Sequence, residues 1–321
     1  MKNLTNPVDR QKSVFLLGFA LIILWNLSAM DSFAQKSKSE KPQSHIKLAL
    51  NAFSFNDLLL AKATPQKPAF TLPDLLDWCA LQNIEAIDVT GYYFPGYPDV
   101  PSDEYLYALK KKAFQLGIEI SGTGIRNNFA SPDPAVRKAD VELAKKWIIV
   151  ASKLGAPVIR LFAGAIPVGY ENKWDEVAGW MVECFKECAA YGEQHGVMIG
   201  IQNHGDMLQT AEQCIKVYKA VNSRWAGIIL DTGNFKVKDP YTDIETIIPY
   251  TANWQVKTSV FGNASTVRMD VNRLMNIIKK SGYRGYLPVE TLKMKDTPYD
   301  PFMLVPAFMK ELKAAKDAVY N

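Results

Sequence analysis

Histidine and cysteine are scarce in this chain, three and four respectively in 321 residues. No CxxC pair and no Cys/His spacing of a zinc site occurs, and the length excludes a small disulfide-stapled module. Excess charge of one sign is missing as well, with 37 Lys+Arg against 33 Asp+Glu. No Gly-rich loop leads into a lysine, so a phosphate cradle of that kind is absent from the pattern. What the chain has in quantity is core-forming side chains: 48% of residues are hydrophobic and 11% aromatic, with 22% charged. That is the composition of a folded globular protein, and it excludes disorder and collagen-like repeats.

Residues 1–34 read as a secretory signal. Lys2, Arg10 and Lys12 precede an apolar stretch from Val14 to Leu27, and Ser32 and Ala34 supply the small-x-small pattern for cleavage after Ala34. The apolar run is shorter than the roughly 20 residues that a spanning helix needs, so an exported, periplasmic protein with no membrane attachment after cleavage is expected. Residues 35–45 are polar and read as a flexible leader. The signal holds three basic and two acidic residues, and the leader holds Lys36, Lys38 and Lys41 against Glu40, so the formal +4 of the whole chain falls to +1 over residues 46–321. With no basic stripe, no nucleic-acid partner is expected.

From residue 46 to the C-terminus short apolar runs alternate with longer amphipathic ones. Eight strands are predicted: Ile46–Asn51, Ile84–Val89, Ile118–Gly122, Val158–Phe162, Val197–Asn203, Ala226–Asp231, Asn253–Lys257 and Gly285–Glu290. Each is mostly apolar, as strands covered on both faces are. Helix starts are marked by Thr71-Leu72-Pro73-Asp74, by Ser102 and by Asp270, helix ends by Gly117, Gly155, Gly196 and Gly282, and a closing helix runs from Pro301 to about Val319. Cys79, Cys184, Cys188 and Cys214 all fall in these helices and are expected as buried free thiols. Eight strand-helix units over this length predict a single α/β domain, a (β/α)8 TIM barrel, at residues 46–321. A doubly wound sheet is the weaker fit, because Asn51-Ala52-Phe53-Ser54-Phe55 after the first strand is no Gly-rich turn.

Such a barrel keeps its chemistry at the C-terminal ends of its strands, and polar residues end these runs. Arg160 lies in the fourth strand, Gln202-Asn203-His204 end the fifth, Asp231-Thr232-Gly233-Asn234 the sixth, Gln255 and Lys257 lie in the seventh and Glu290 ends the eighth. Side-chain alternation puts Gln202 on one face with His204, and Gln255 with Lys257. Arg126 follows the third strand. The aromatic loop Gly91-Tyr92-Tyr93-Phe94-Pro95-Gly96-Tyr97-Pro98 is expected to wall the pocket through residues such as Tyr92 and Tyr93, because aromatic faces offer flat apolar surface to a ligand.

At these positions the sequence resembles the xylose isomerase-like barrel superfamily, over roughly Ile46 to Val319. The motifs are Gly200-Ile201-Gln202-Asn203-His204-Gly205-Asp206, Leu230-Asp231-Thr232-Gly233-Asn234, Val256-Lys257, and Gly282-Tyr283-Arg284-Gly285-Tyr286 leading to Val289-Glu290. The resemblance implies a sugar isomerase or epimerase with one divalent ion (Mn, Mg, Co or Zn) held by a Glu on strand five, an Asp on six, a His near seven and a Glu on eight. Asp231 and Glu290 match that pattern, whereas Gln202 stands where Glu is usual and Gln255 where His is expected. The ligands so implied are Asp231, Glu290, Gln202 and Gln255.

Gln202 can offer an amide oxygen to a cation but cannot act as a base, so a symmetric two-glutamate epimerisation is not expected. One base, Glu290 or His204, would move the proton, and Lys257 would hold developing negative charge. Arg160 would either hold a sugar hydroxyl or neutralise Asp231 and Glu290, and Asn203, Asn234 and Arg126 are further candidate substrate contacts. The expected partner is a small unphosphorylated carbohydrate. Elimination from a 3-keto-glycoside is the alternative reaction, and a carbohydrate-binding barrel without catalysis the alternative class. Nothing in the sequence separates a monomer from a homo-oligomer.

Overall fold

Eight parallel strands follow one another around a closed ring, with the eighth paired back onto the first, in the computed structural model of the chain. The structure describes residues 45–64, 69–205, 207–262, 265–293 and 298–320. The expected signal and, apart from His45, the expected leader lie outside the described residues. The strands are β1 (Lys47–Asn51), β2 (Ala86–Thr90), β3 (Glu119–Gly124), β4 (Val158–Phe162), β5 (Met198–Gln202), β6 (Ala226–Asp231), β7 (Thr251–Lys257) and β8 (Tyr286–Glu290). All eight expected strands are present, with ends moved by two residues at most. The barrel helices are α1 (Leu72–Leu81), α2 (Asp103–Gln115), α3 (Pro134–Leu154), α4 (Trp174–His195), α5 (Ala211–Val221), α6 (Pro240–Ile247), α7 (Val271–Ser281) and α8 (Pro301–Tyr320).

Local chemistry sets these boundaries. Asp74 accepts from both the N–H and the hydroxyl of Thr71 at the start of α1, Ser102 caps α2 through Tyr105 N and Asp270 caps α7 through Arg273 N. Side-chain acceptors at these places satisfy N–H groups that have no partner within the helix. Gly155 and Gly196 end α3 and α4 in the left-handed conformation, at φ 80° and 68°, which a Cβ would penalise. All four cysteines are buried and free. Among the described residues no helix is long and apolar enough to cross a membrane.

Strand residues alternate between the barrel interior and the helical layer. In β4, Ile159 and Leu161 are fully buried, and Arg160 between them belongs to the barrel mouth. Two interior positions of β3 carry no side chain: a Cβ on Gly122 would come within 2.7 Å of Asp88 Oδ2, and one on Gly124 within 2.7 Å of Arg160 Nε. The missing side chains give room to the charged groups of β2 and β4, so the polar interior begins at these glycines.

Candidate active site

Strand register brings the key groups together. Lys257 pairs with Glu290 across β7 and β8, and Asp231 pairs with Gln255 across β6 and β7. Gln255 and Lys257 are two residues apart and so share the inner face. Lys257 therefore lies beside Glu290 and one step toward the mouth from Asp231. Its ammonium is ion-paired with Glu290 Oε1 and lies 3.3 Å from Asp231 Oδ2. The carboxyl of Asp231 is fully buried and that of Glu290 only 5% exposed.

The amides complete this cluster. Gln202 Nε2 donates to Asp231 Oδ2 at 2.8 Å and to Gln255 Oε1 at 2.6 Å, while Gly233 N donates to Asp231 Oδ1 at 2.9 Å. With the Gln255 amide reversed it would donate to Asp231 Oδ2 (3.1 Å) and Glu290 Oε2 (3.3 Å) and accept from Asn51 Nδ2 (3.2 Å), but its nitrogen would then face Gln202 Nε2 at 2.6 Å and the bond between the two amides would be lost unless Gln202 turned as well. Burial raises the pKa of Asp231 and of Glu290, and the attraction of Lys257 only partly offsets it. For Lys257 burial works against the charge, but the two carboxylates outweigh it and hold the ammonium above its ordinary range.

Above this floor opens a cavity of about 190 Å³, reached by Lys257, Glu290, Gln202, Gln255, Arg160, His204, Asn234 and Tyr92. Arg160 is fixed by hydrogen bonds to Ile125 O (2.5 Å) and Tyr92 OH (2.6 Å), and its guanidinium lies 3.8 Å from the centre of the Phe162 ring. Among the described residues it makes no ion pair with Asp231 or Glu290, which instead have Lys257. The exposed His204 also packs on the Phe162 ring, with ring centres 4.5 Å apart. Among the described residues three buried polar atoms of cavity-lining side chains have no protein partner, the acceptor Gln202 Oε1 and the donors Asn234 Nδ2 and Arg160 Nε.

Several expected contacts lie elsewhere. Asn203 is turned away from the cavity: its amide donates to Asp231 O (2.8 Å) and accepts from Asp231 N (2.7 Å), so it extends the β5–β6 pairing by a side chain. Arg126 is exposed, stacked over Tyr92 at 4.3 Å and outside the cavity lining. Of the aromatic loop only Tyr92 reaches the cavity. Tyr93 donates to Asn56 Oδ1, and Phe94 and Tyr97 pack on Trp147 of α3, at 5.5 and 5.4 Å. The loop is held by a helix rather than offered to a ligand. The cavity's apolar walls come from residues not anticipated, Phe53, Phe162 and Leu292, together with the polar Asn51 and Thr90. Asn51 accepts from Phe53 N at 2.9 Å and so sets the turn that places Phe53 at the mouth.

The donor set fits a divalent cation poorly. Such ions need converging oxygen or nitrogen lone pairs. Here both oxygens of Asp231 already accept from N–H groups, Gln202 presents its nitrogen to the cluster, and an ammonium stands between the carboxylates. Among the described residues no three His, Cys, Asp or Glu side chains converge as a metal site.

Comparison with known proteins agrees with this architecture. The sequence matches the profile of the xylose isomerase-like TIM barrel over residues 77–315. The chain belongs to the xylose isomerase-like TIM barrel family. Among solved structures, a putative xylose isomerase from Rhodospirillum rubrum superposes with a TM-score of 0.69 at 17% identity, covering 84% of this chain and 99% of that one. D-psicose 3-epimerase from Clostridium cellulolyticum H10, solved with D-tagatose, gives 0.66 at 18% identity over 85% of this chain and 98% of its own. The 3-keto-D-glucoside 4-epimerase of E. coli gives 0.66 at 9% identity over 84% and 99%. At these identities the shared feature is the fold. An uncharacterized protein of Methanocaldococcus jannaschii is 27% identical over 135 residues, 41% of this chain, and the chain spans less than half of that relative's length, 46%.

Proposed function

We propose that this member of the family is an enzyme of sugar isomerase or epimerase type, removing a proton from the carbon next to a carbonyl in an unphosphorylated sugar or sugar derivative. The observation that carries the reading is the buried Asp231–Lys257–Glu290 cluster at the floor of a cavity with aromatic walls. The cavity is smaller than the roughly 300–1,000 Å³ of sites for drug-sized ligands, which suits one sugar ring. Gln202 Oε1 needs a donor and Asn234 Nδ2 an acceptor, and a sugar hydroxyl is both. The names of the epimerases that share the fold support the same class of substrate. Export directed by residues 1–34 would favour a substrate without phosphate.

In the mechanism, Glu290 removes the α proton and the C–H electron pair forms the enolate double bond. The carbonyl π electrons move onto oxygen, where an N–H of Lys257 holds the charge. A desolvated carboxylate is a stronger base than an exposed one, and burial of Glu290 acts in that direction. His204 at the mouth, or Glu290 itself, returns the proton to carbon. Because Gln202 cannot carry a proton, the same enolate suits expulsion of a β-alkoxide with His204 as proton donor, and elimination from a 3-keto-glycoside is the second reading. The divalent ion implied by the family has no part in these steps, because the donor set does not fit it.

Incubation with ketoses and 3-keto-glycosides in D₂O, followed by NMR, tests the reading. Deuterium at the α carbon with the skeleton retained supports isomerase or epimerase chemistry, and release of the aglycone supports elimination. Binding without exchange or release would leave a carbohydrate-binding barrel and contradict the proposal.

A further inference from the structure

One place between Asp231 and Glu290 is claimed by two cations, the divalent ion that the family resemblance implies and the ammonium of Lys257. We propose that Lys257 is the resident cation of this site, bridging the two carboxylates in place of a metal and presenting an N–H to the substrate oxygen as the built-in electrophile.

Four observations converge on this. The register of β6, β7 and β8 sets Lys257 beside Glu290 and next to Asp231, so the bridge follows from the backbone pairing and needs no special side-chain excursion. Both carboxylates are withdrawn from water, with Lys257 itself only 10% exposed, and buried carboxylates require a counter-charge. Gln202 supplies an N–H to Asp231 where a ligand would supply a lone pair. Gln255, in either orientation of its amide, has no nitrogen lone pair to replace an imidazole.

Charge gives the same answer. Two carboxylates and one ammonium leave the cluster at −1. A divalent ion beside the ammonium would place three positive charges on two negative ones within a few ångströms, in a region where water cannot screen them. An ammonium has three N–H donors. Two can serve the carboxylates, which leaves a third for the cavity that Lys257 lines. That last role rests on the proposed function, whereas the occupancy of the site does not.

The test is Mn²⁺ binding to the full-length folded protein, read by calorimetry, by the electron-paramagnetic signal of free Mn²⁺ and by thermal unfolding with Mn²⁺ or EDTA. The wild type is expected to bind no Mn²⁺ up to millimolar concentration and to keep its Tm in both additives. A Gln202→Glu/Gln255→His double variant restores ligands but retains the ammonium. A triple variant that adds Lys257→Ala is expected to bind Mn²⁺ about tenfold or more tighter than the double variant. One equivalent of Mn²⁺ bound by the wild type at micromolar concentration, or equal affinity of the double and triple variants, would overturn the inference. Where the variants fail to fold, the wild-type titration decides alone. None of these readouts uses a sugar, so a protein that turns over no substrate would contradict the proposed function and leave this inference in place.

Discussion

Lys257 and Glu290 are register partners on adjacent strands, and their side chains meet as a buried ion pair at the floor of the barrel mouth. Removing either partner leaves the other charge uncompensated in a site with little access to water, a loss usually larger than the net worth of the pair. Structure and chemistry of the site are therefore coupled, and variants outside the pair are better probes of how the site is held.

Asn203→Ala is the first. It deletes both side-chain hydrogen bonds to the Asp231 backbone and leaves a buried N–H and C=O short of a partner, each worth about 1–3 kcal/mol. The expected outcome in urea unfolding is a loss of about 2–6 kcal/mol. A substrate-contact role alone would leave stability unchanged.

Asp88→Asn tests the polar interior below the site. Burial pushes the Asp88 carboxyl up to about 7, with Arg160 lowering it and Glu290 raising it. Since the folded state holds this proton more tightly than the unfolded chain, ionisation costs stability. The cost is absent below the unfolded pKa near 4, grows as pH rises toward 7 and is complete above it. The variant should gain Tm over the wild type at about pH 8 and lose that advantage near pH 4. A Tm difference independent of pH would contradict the assignment.

Gly124→Ala probes the guanidinium. A Cβ there would lie 2.7 Å from Arg160 Nε, and moving Arg160 breaks its bonds to Ile125 O and Tyr92 OH. Overpacking of this kind costs about 1–3 kcal/mol, and ligand affinity should fall with stability, measured by thermal unfolding with and without a sugar. Normal stability and affinity would show that Arg160 has slack the geometry does not indicate.

The barrel was legible because each strand is a short apolar run ended by a polar residue or a turn, and β6, ending on Asp231, matched its expected bounds for that reason. The site was legible in part. Lys257, Glu290, Gln202, Gln255, Arg160, His204 and Asn234 line one cavity, and Asp231 lies buried beneath it against Lys257. Asn203 bonds the Asp231 backbone instead of facing the cavity, a placement that strand alternation, which sets Gln202 inward, already implies for its neighbour. Phe162 and Phe53 escaped notice because a search for polar strand ends passes over aromatic ones. The aromatic loop misled for another reason: its partner, Trp147, lies about fifty residues away on α3, a distance no local pattern reveals. The place of Lys257 between two carboxylates depends on the pairing of three strands, and sequence spacing alone does not supply that register.

The most direct measurement is solvent exchange of the α proton of a turned-over sugar, followed by NMR in D₂O with EDTA present, for wild type and Glu290→Gln side by side. The wild type should exchange at the same rate with and without chelator, and Glu290→Gln should fall by at least about 10²-fold, the lower bound for loss of a positioned proton carrier. Exchange that EDTA abolishes and Mn²⁺ restores, or that survives unchanged in Glu290→Gln, would contradict a site run by Glu290 and Lys257.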